Sequence, residues 1–291
     1  MTAGAGTVDR AEVERLEEMA RRIRVEVIRT VNHAQVGHVG GPLSAADILA
    51  ALYFRVLRIR PDEPHWPGRD RFILSKGHSS LVQYAAMALR GYFPVDELRT
   101  FDSQGSRLQG HPDMKLLPGI DMSTGSLGMG LSAGLGMALA TRFTDLGDPR
   151  VYVLIGDGEC QEGQVWEAAM AAARYQVENL VAIVDHNKLQ QYGWPGETSA
   201  ERLPPEEPGE LVAKWSAFGW RVLEADGHDM AAVVRALEDA STASGRPTVV
   251  VAHTVKGRGV SFMEGDFRWH SKPIRPDEFA AAMRELGEVE E

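Results

Sequence analysis

Asp157 and Asn187 are the two side chains whose positions in this sequence point most directly to chemistry. Asp157 lies in Gly156-Asp157-Gly158, directly after the apolar run Val151-Tyr152-Val153-Leu154-Ile155. Asn187 lies in Asp185-His186-Asn187-Lys188, directly after Leu180-Val181-Ala182-Ile183-Val184. Short apolar runs bounded by turn residues read as buried strands. Each strand therefore delivers an oxygen-bearing side chain to the carboxyl edge of a sheet, where open α/β sheets bind ligands. A carboxylate and an amide oxygen are hard donors that suit Mg²⁺, or Ca²⁺ or Mn²⁺ in its place, shared with a diphosphate. A backbone carbonyl near Leu189 is a third donor. Gly156 and Gly158 let the backbone approach phosphate oxygens without a Cβ in the way. Gly-Asp-Gly alone is also an ordinary turn and Asn187 an ordinary cap. It is their pairing on successive strands that favours the metal reading.

A second wall is offered by Ser123-Thr124-Gly125-Ser126-Leu127-Gly128-Met129-Gly130. A helix opening there would aim its N-terminus at an anion. The dinucleotide fingerprint fails, because Gly128-Met129-Gly130 has no third glycine at the required offset. Tight helix packing is the competing explanation.

The chain carries 9 histidines, and three follow glycine at expected element ends: Gly37-His38, Gly77-His78 and Gly110-His111. Imidazole suits proton transfer near neutral pH, and the recurrence suggests a shared cleft. His270, in Phe267-Arg268-Trp269-His270, is a fourth candidate. His65, His228 and His253 read as structural, and His33 and His186 have no assigned chemistry. Zinc is disfavoured, since there is no His-x-x-x-His pair and Cys160 has no second cysteine beside it. No Gly-x-Ser-x-Gly elbow supports a serine hydrolase.

The elements that must position these residues alternate. Amphipathic helix spans about 8–31, and a second helix, capped by Ser44 with Asp47 three residues on, runs to about Leu57. A strand at 71–75 leads through Lys76-Gly77-His78 into a helix ending near Arg90, and a long loop covers 105–119. The Gly-rich helix ending near Arg142 is followed by strand 151–155, helix 162–175 and strand 180–185. An irregular excursion covers Lys188 to Pro208. Helix 209–217, strand 220–224, helix 229–240, strand 247–252 and a helical tail from Pro276 complete the chain. This pattern predicts one α/β domain over 1–291, a mostly parallel central sheet with helices on both faces. No repeat or domain boundary interrupts it.

The formal charge of the 291 residues is −10, with no Lys/Arg-rich block, so a nucleic-acid partner is not expected. No apolar stretch is long enough to span a membrane and no signal-peptide core follows Met1, which leads us to expect a cytoplasmic protein.

Several ordered segments together resemble the diphosphate-binding domain of transketolase, most closely the split form made as a separate subunit. They are Gly37-His38-Val39-Gly40-Gly41-Pro42-Leu43-Ser44, Arg71-Phe72-Ile73-Leu74-Ser75-Lys76-Gly77-His78, and Gly105-Ser106-Arg107-Leu108-Gln109-Gly110-His111-Pro112. Ser123-Thr124-Gly125-Ser126-Leu127-Gly128, Gly156-Asp157-Gly158-Glu159-Cys160-Gln161-Glu162-Gly163, Asp185-His186-Asn187-Lys188 and Val255-Lys256-Gly257-Arg258-Gly259-Val260 complete the set. The resemblance implies a thiamine-diphosphate-binding fold, with Asp157, Asn187 and the Leu189 carbonyl as metal ligands. It places His78 and His270 near the diphosphate and the reacting carbon, and His38 and His111 at the sugar's oxygens as proton relays. Gly125, Ser126, Leu127, Gly156, Gly158 and Glu159 become cofactor-contact positions. Glu162 and Glu167 resemble interface carboxylates, although a solvated helix face explains them equally well.

The implied activity is transfer of a two-carbon ketol unit from a ketose, or ketose phosphate, to an aldose. The cofactor supplies the electron sink. The pyrimidine-binding and C-terminal domains of that family have no counterpart before Glu291. A separate partner subunit in an α2β2 assembly is therefore expected, with the chain alone inactive. Met129, Val39 and Ser271 depart from the family pattern and bear on which sugar is used. Two alternatives are the α subunit of a 2-oxoacid dehydrogenase, against which the Gly-His set argues, and a non-catalytic module retaining the fold.

Overall fold

Valine, isoleucine, leucine and alanine dominate the runs that form the three inner strands, as a sheet covered on both faces requires. In the computed structural model, which describes residues 8–145, 147–191, 208–242 and 244–288, the strands are β1 (Arg71–Leu74), β2 (Val151–Gly156), β3 (Leu180–His186), β4 (Arg221–Asp226) and β5 (Thr248–His253). All pairings among these five strands are parallel and the order is β1-β2-β3-β5-β4. Side chains alternate between the two faces, as the pleat dictates. Phe72, Leu74, Tyr152, Leu154, Val181, Ile183 and Val250 join one buried cluster, while Ile73, Val151, Val153, Ile155, Ala182, Val184 and Val249 join the other.

The first cluster is closed by α1 (Arg10–Ala34), α2 (Gly40–Ala51), α3 (Ser80–Arg90), α7 (Met230–Ala240) and α8 (Pro276–Glu285). The second is closed by α4 (Met129–Ala140), α5 (Gly163–Arg174) and α6 (Pro208–Ala217). Trp215 of α6 packs edge-on against Trp220, with centroids 4.9 Å apart. β1 lies at a sheet edge. Its Phe72 amide donates to Asp121 Oδ2 at 2.9 Å, and Arg69 in turn pairs with Asp121.

Two expectations are corrected. Ser44 does not cap α2: the helix starts at Gly40 and Ser44 lies inside it, fully buried. Every residue of α2 is buried, so packing rather than a polar cap sets where the helix begins, and a π turn, Leu52–Val56, finishes it. Asp47 is likewise no capping partner; it pairs with Arg24. Of the irregular excursion Lys188 to Pro208, residues 192–207 lie outside the described residues.

Because all five strands point the same way, their carboxyl ends share one edge. Lys76-Gly77-His78 leaves β1 there, Asp157 leaves β2, Asn187 leaves β3 and Thr254 to Lys256 leave β5. Ile183, wholly buried in central strand β3, tests this frame. Ile183→Ala should lower unfolding free energy by about 2–5 kcal/mol in urea denaturation without changing the slope of the transition. A loss below about 0.5 kcal/mol, typical of surface sites, would contradict the packing described.

Candidate cofactor and active site

Asp157 begins a short 3₁₀ turn after β2. Its Oδ1 accepts the Gly158 amide at 2.8 Å and its Oδ2 accepts the Lys188 amide at 2.5 Å. Asn187 Oδ1 accepts the Leu189 amide at 3.1 Å. Lys188 takes a left-handed conformation, φ 64°. It turns the chain so that Leu189 joins Asp157 and Asn187 in lining a cavity of about 500 Å³. Burial, with the Asp185 carboxylate second, pushes the Asp157 carboxyl up to about 7. An anionic oxygen donor destabilised by a second carboxylate is a site that a divalent cation would relieve. Carboxylate, amide and carbonyl oxygens are the donor chemistry that fits such an ion. Among the described residues, no group of three or more His, Cys, Asp or Glu is arranged to hold a metal.

Beneath the cavity, Asp185 is completely buried and pairs with Lys76, itself 3% exposed. Asp185 also accepts from Ser44 Oγ at 2.6 Å, from Thr254 Oγ1 and from Asn187 Nδ2 at 3.3 Å. Burial opposes the Asp185 charge, yet Lys76 and these donors hold its carboxyl below the usual range. Lys76 Nζ also reaches the Gly41 carbonyl at 3.3 Å, joining β1 to α2.

The four sequence-predicted histidines converge. Ring centroids of His38, His78 and His270 are mutually 5.0 Å apart, and His111 stands 6.4 Å from His38. Burial, followed by neighbouring positive groups, lowers His38 to about 4 and His270 to about 3, and pushes His78 down as well. All three are therefore neutral at physiological pH, each ring offering one donor and one acceptor nitrogen. His38 and His111 also line an outer cavity of about 510 Å³ with Asp102, Gln109, Asp113 and Ser123. The two cavities thus meet at the histidines.

Gly125 and Leu127 line the inner cavity, whereas Ser126 is exposed and does not. Glu159 borders it, but its carboxylate serves the scaffold: Oε1 accepts from Ser75 and from the Gly128 amide at 2.7 Å, and Oε2 from the Gly156 amide at 3.1 Å. At the start of α4, two amides are already engaged within the protein. The Gly128 amide is spent on Glu159, and the Gly130 amide on Ser75 Oγ at 3.1 Å. Gly128 itself takes φ 83°, which only glycine adopts readily. Gly77 is needed for close approach: a Cβ there would sit 2.6 Å from Thr124 Oγ1 and 2.9 Å from the Gly125 amide nitrogen.

Sequence reasoning gave no role to Lys76 or Lys256, although both lie in quoted motifs. Lys256 is 2% exposed, and its Nζ meets His270 Nδ1 at 2.9 Å and the Gln190 carbonyl at 3.0 Å. Burial, then repulsion from Lys76, lowers its amine to about 8. The available signal was the rarity of lysine beside glycine at the end of an apolar run. Of the atypical positions, Val39 is fully buried and Ser271 bridges to His38 through an antiparallel backbone pair. Met129 is 42% exposed and lines neither cavity. Glu162 borders the inner cavity and Glu167 is exposed on α5.

The family described as transketolase, thiamine diphosphate binding domain, matches residues 16–290. A protein named 6-deoxy-6-sulfo-D-fructose transketolase subunit SqwG, from Clostridium sp. (strain MSTE9), is 45% identical over 93% of this chain and 96% of its own length. A second relative, from Phocaeicola vulgatus and named as one subunit of an apulose-4-phosphate transketolase, is 40% identical over 95% of each chain. The solved transketolase of Leishmania mexicana superposes with a TM-score of 0.84 at 32% identity, over 94% of this chain and 41% of that one. The chain therefore belongs to the transketolase family, as its thiamine-diphosphate-binding domain. It spans about two-fifths of the solved transketolases and nearly the full length of the relatives named as subunits. The α-subunit reading of a 2-oxoacid dehydrogenase is not favoured.

Since Asp157 keeps its proton until about pH 7, protons and Mg²⁺ compete for it. Calorimetric affinity for thiamine diphosphate with Mg²⁺ should weaken about tenfold per pH unit below 7 and level off above. Asp157→Asn should flatten that dependence and lower affinity at alkaline pH. Equal pH profiles for both proteins would contradict the assignment.

Proposed function

We propose that this chain is the thiamine-diphosphate-binding subunit of a two-chain transketolase, transferring a two-carbon ketol unit from a ketose to an aldose. The observation that carries this is one cleft whose floor holds Asp157, Asn187 and Leu189 and whose wall holds four clustered histidines. Asp157, Asn187 and the Leu189 carbonyl bind a divalent cation, with Mg²⁺ the expected ion, and through it the diphosphate. Lys256 and His78 stand beside that seat. Bound thiamine diphosphate supplies the electron sink that makes carbon–carbon cleavage accessible.

This chain's own groups handle the sugar and its protons. His38 and His111 border both cavities, so they meet the substrate's oxygens where it enters. Neutral His38 and His270 can each take or give a proton as a hydroxyl becomes a carbonyl and back. The outer cavity's Asp102, Gln109, Asp113 and Ser123 offer hydrogen-bond partners to a polyhydroxylated chain.

A separate polypeptide carries the pyrimidine-binding and C-terminal domains in this proposal, giving an α2β2 assembly in the cytoplasm. The relatives it matches end to end are named as subunits, while solved transketolases extend far beyond the match. Those relatives are named for 6-deoxy-6-sulfo-D-fructose and apulose 4-phosphate, which supports a modified or phosphorylated sugar here as well.

Ketol transfer from xylulose 5-phosphate to ribose 5-phosphate, with Mg²⁺ and thiamine diphosphate, should appear only when a second polypeptide carrying the pyrimidine-binding domain is added. Equal activity from this chain alone would overturn the two-chain proposal. His111→Ala should slow transfer by about 10²-fold or more, in the range of a proton-transfer group, with cofactor affinity changed only a few-fold. A large loss of affinity instead would move His111 to the diphosphate.

A further inference from the structure

His228, in the turn between β4 and α7, is 9% exposed and lines neither cavity. Both of its ring nitrogens are engaged. Nε2 accepts the backbone amide of Val255 at 2.8 Å, so Nε2 carries no proton. The proton therefore sits on Nδ1, which donates to Asp47 Oδ2 at 2.7 Å. Asp47 is held in turn by Arg24, whose Nη1 reaches Oδ1 at 3.2 Å and whose Nη2 binds Oδ2. Arg24 lies on α1, Asp47 on α2 and His228 after β4, so the relay joins three elements before it meets the chain leaving β5.

Val255 directly precedes Lys256. The neighbouring backbone has further ties: the Thr254 amide donates to the His186 carbonyl at 3.1 Å, the Gly257 amide to the Gly40 carbonyl at 3.0 Å, the Arg258 amide to the Val255 carbonyl at 3.2 Å and the Gly265 amide to the Lys256 carbonyl at 2.9 Å. All four end on backbone carbonyls, whereas the Val255 amide ends on a side chain. Removing its acceptor would leave the amide unpaired in a largely buried turn, at a cost comparable to a lost hydrogen bond.

We propose that His228 is a positioning residue: held in one tautomer by Asp47, it fixes Val255 and so aims the Lys256 ammonium into the cofactor cavity. The functional weight of this rests on Lys256 belonging to the cofactor seat; the geometric claim does not.

The test separates the two ring nitrogens. Glutamine places an acceptor near the Nε2 position and asparagine places a donor near the Nδ1 position. The full chain, without cofactor, is pulsed with acetic anhydride and lysine labelling is read by mass spectrometry, Lys76 serving as internal reference. His228→Asn should raise Lys256 labelling about tenfold relative to Lys76, because labelling follows the population of opened states. His228→Gln should stay within about twofold of the parent protein. Equal labelling in parent and Asn variant, or a rise in both variants that Lys76 shares, would overturn the proposal and leave His228 a general structural residue. A measurement on the parent protein needs no variant: ¹⁵N-histidine spectra should show His228 protonated on Nδ1 alone, and a proton on Nε2 would overturn it equally. In the assembled enzyme His228→Asn should weaken thiamine-diphosphate affinity more than His228→Gln. Because labelling and the spectra involve no cofactor, failure of the transketolase reading is distinguishable from failure of this one.

Discussion

The buried pair of Asp185 and Lys76 is the interaction on which the rest of the site depends. Two opposite charges are held almost entirely out of water, where removing either partner leaves the other uncompensated at a cost of about 3–5 kcal/mol. Each additional donor is drawn from a different part of the fold: Ser44 from α2, Thr254 from the end of β5 and Asn187 from the end of β3. Lys76 itself follows β1 and reaches α2 through the Gly41 carbonyl. One carboxylate thereby sets the relative position of three strand ends and a helix start. Without it, the Asn187 amide nitrogen would keep only Ser44 Oγ, at 3.3 Å, as a partner.

The same charges prepare the cavity electrostatically. Lys76 offsets Asp185, so the field felt by Asp157 combines a neighbouring anion with poor solvation, and its carboxyl rises. On the opposite wall, Lys76 and Lys256 add to burial in keeping His78 and His270 uncharged. A cation-seeking floor and a neutral imidazole wall thus arise from burial, reinforced by one arrangement of two lysines and two aspartates. Neutral imidazoles can accept as well as donate, which a set of imidazolium ions could not.

Much of this was legible in the residues. The strands announced themselves as apolar runs, and Asp157 and Asn187 could be placed at their carboxyl ends because parallel strands must share an edge. His38, His78 and His111 could be grouped because each followed glycine at an element end, and His270 was a fourth candidate without that placement. What escaped was whatever depended on partners distant in sequence. Ser44 had the form of a cap, yet its hydroxyl serves a carboxylate 141 residues away. Glu159 looked like a cofactor contact, yet its oxygens accept from the Gly156 amide of its own turn and from the distant Gly128 amide and Ser75 hydroxyl. His228 was read as structural because nothing local reveals that Asp47 and Val255 lie on either side of its ring. Residue type and spacing report on elements; pairings across the sheet edge are set by topology.

Between α3 and α4, residues 101–128 contribute no strand or α-helix, yet they supply Asp102, Gln109, His111, Asp113 and Ser123 to the outer cavity. The metal-side donors and lysines come instead from strand ends and their turns, locked by buried charge. The cavity lining therefore divides between a seat built on strand ends and a rim built on irregular chain. Under the proposed function, rim residues other than His111 can vary while the buried charge pair and the strand-end donors stay unchanged, which separates the choice of sugar from the hold on the cofactor.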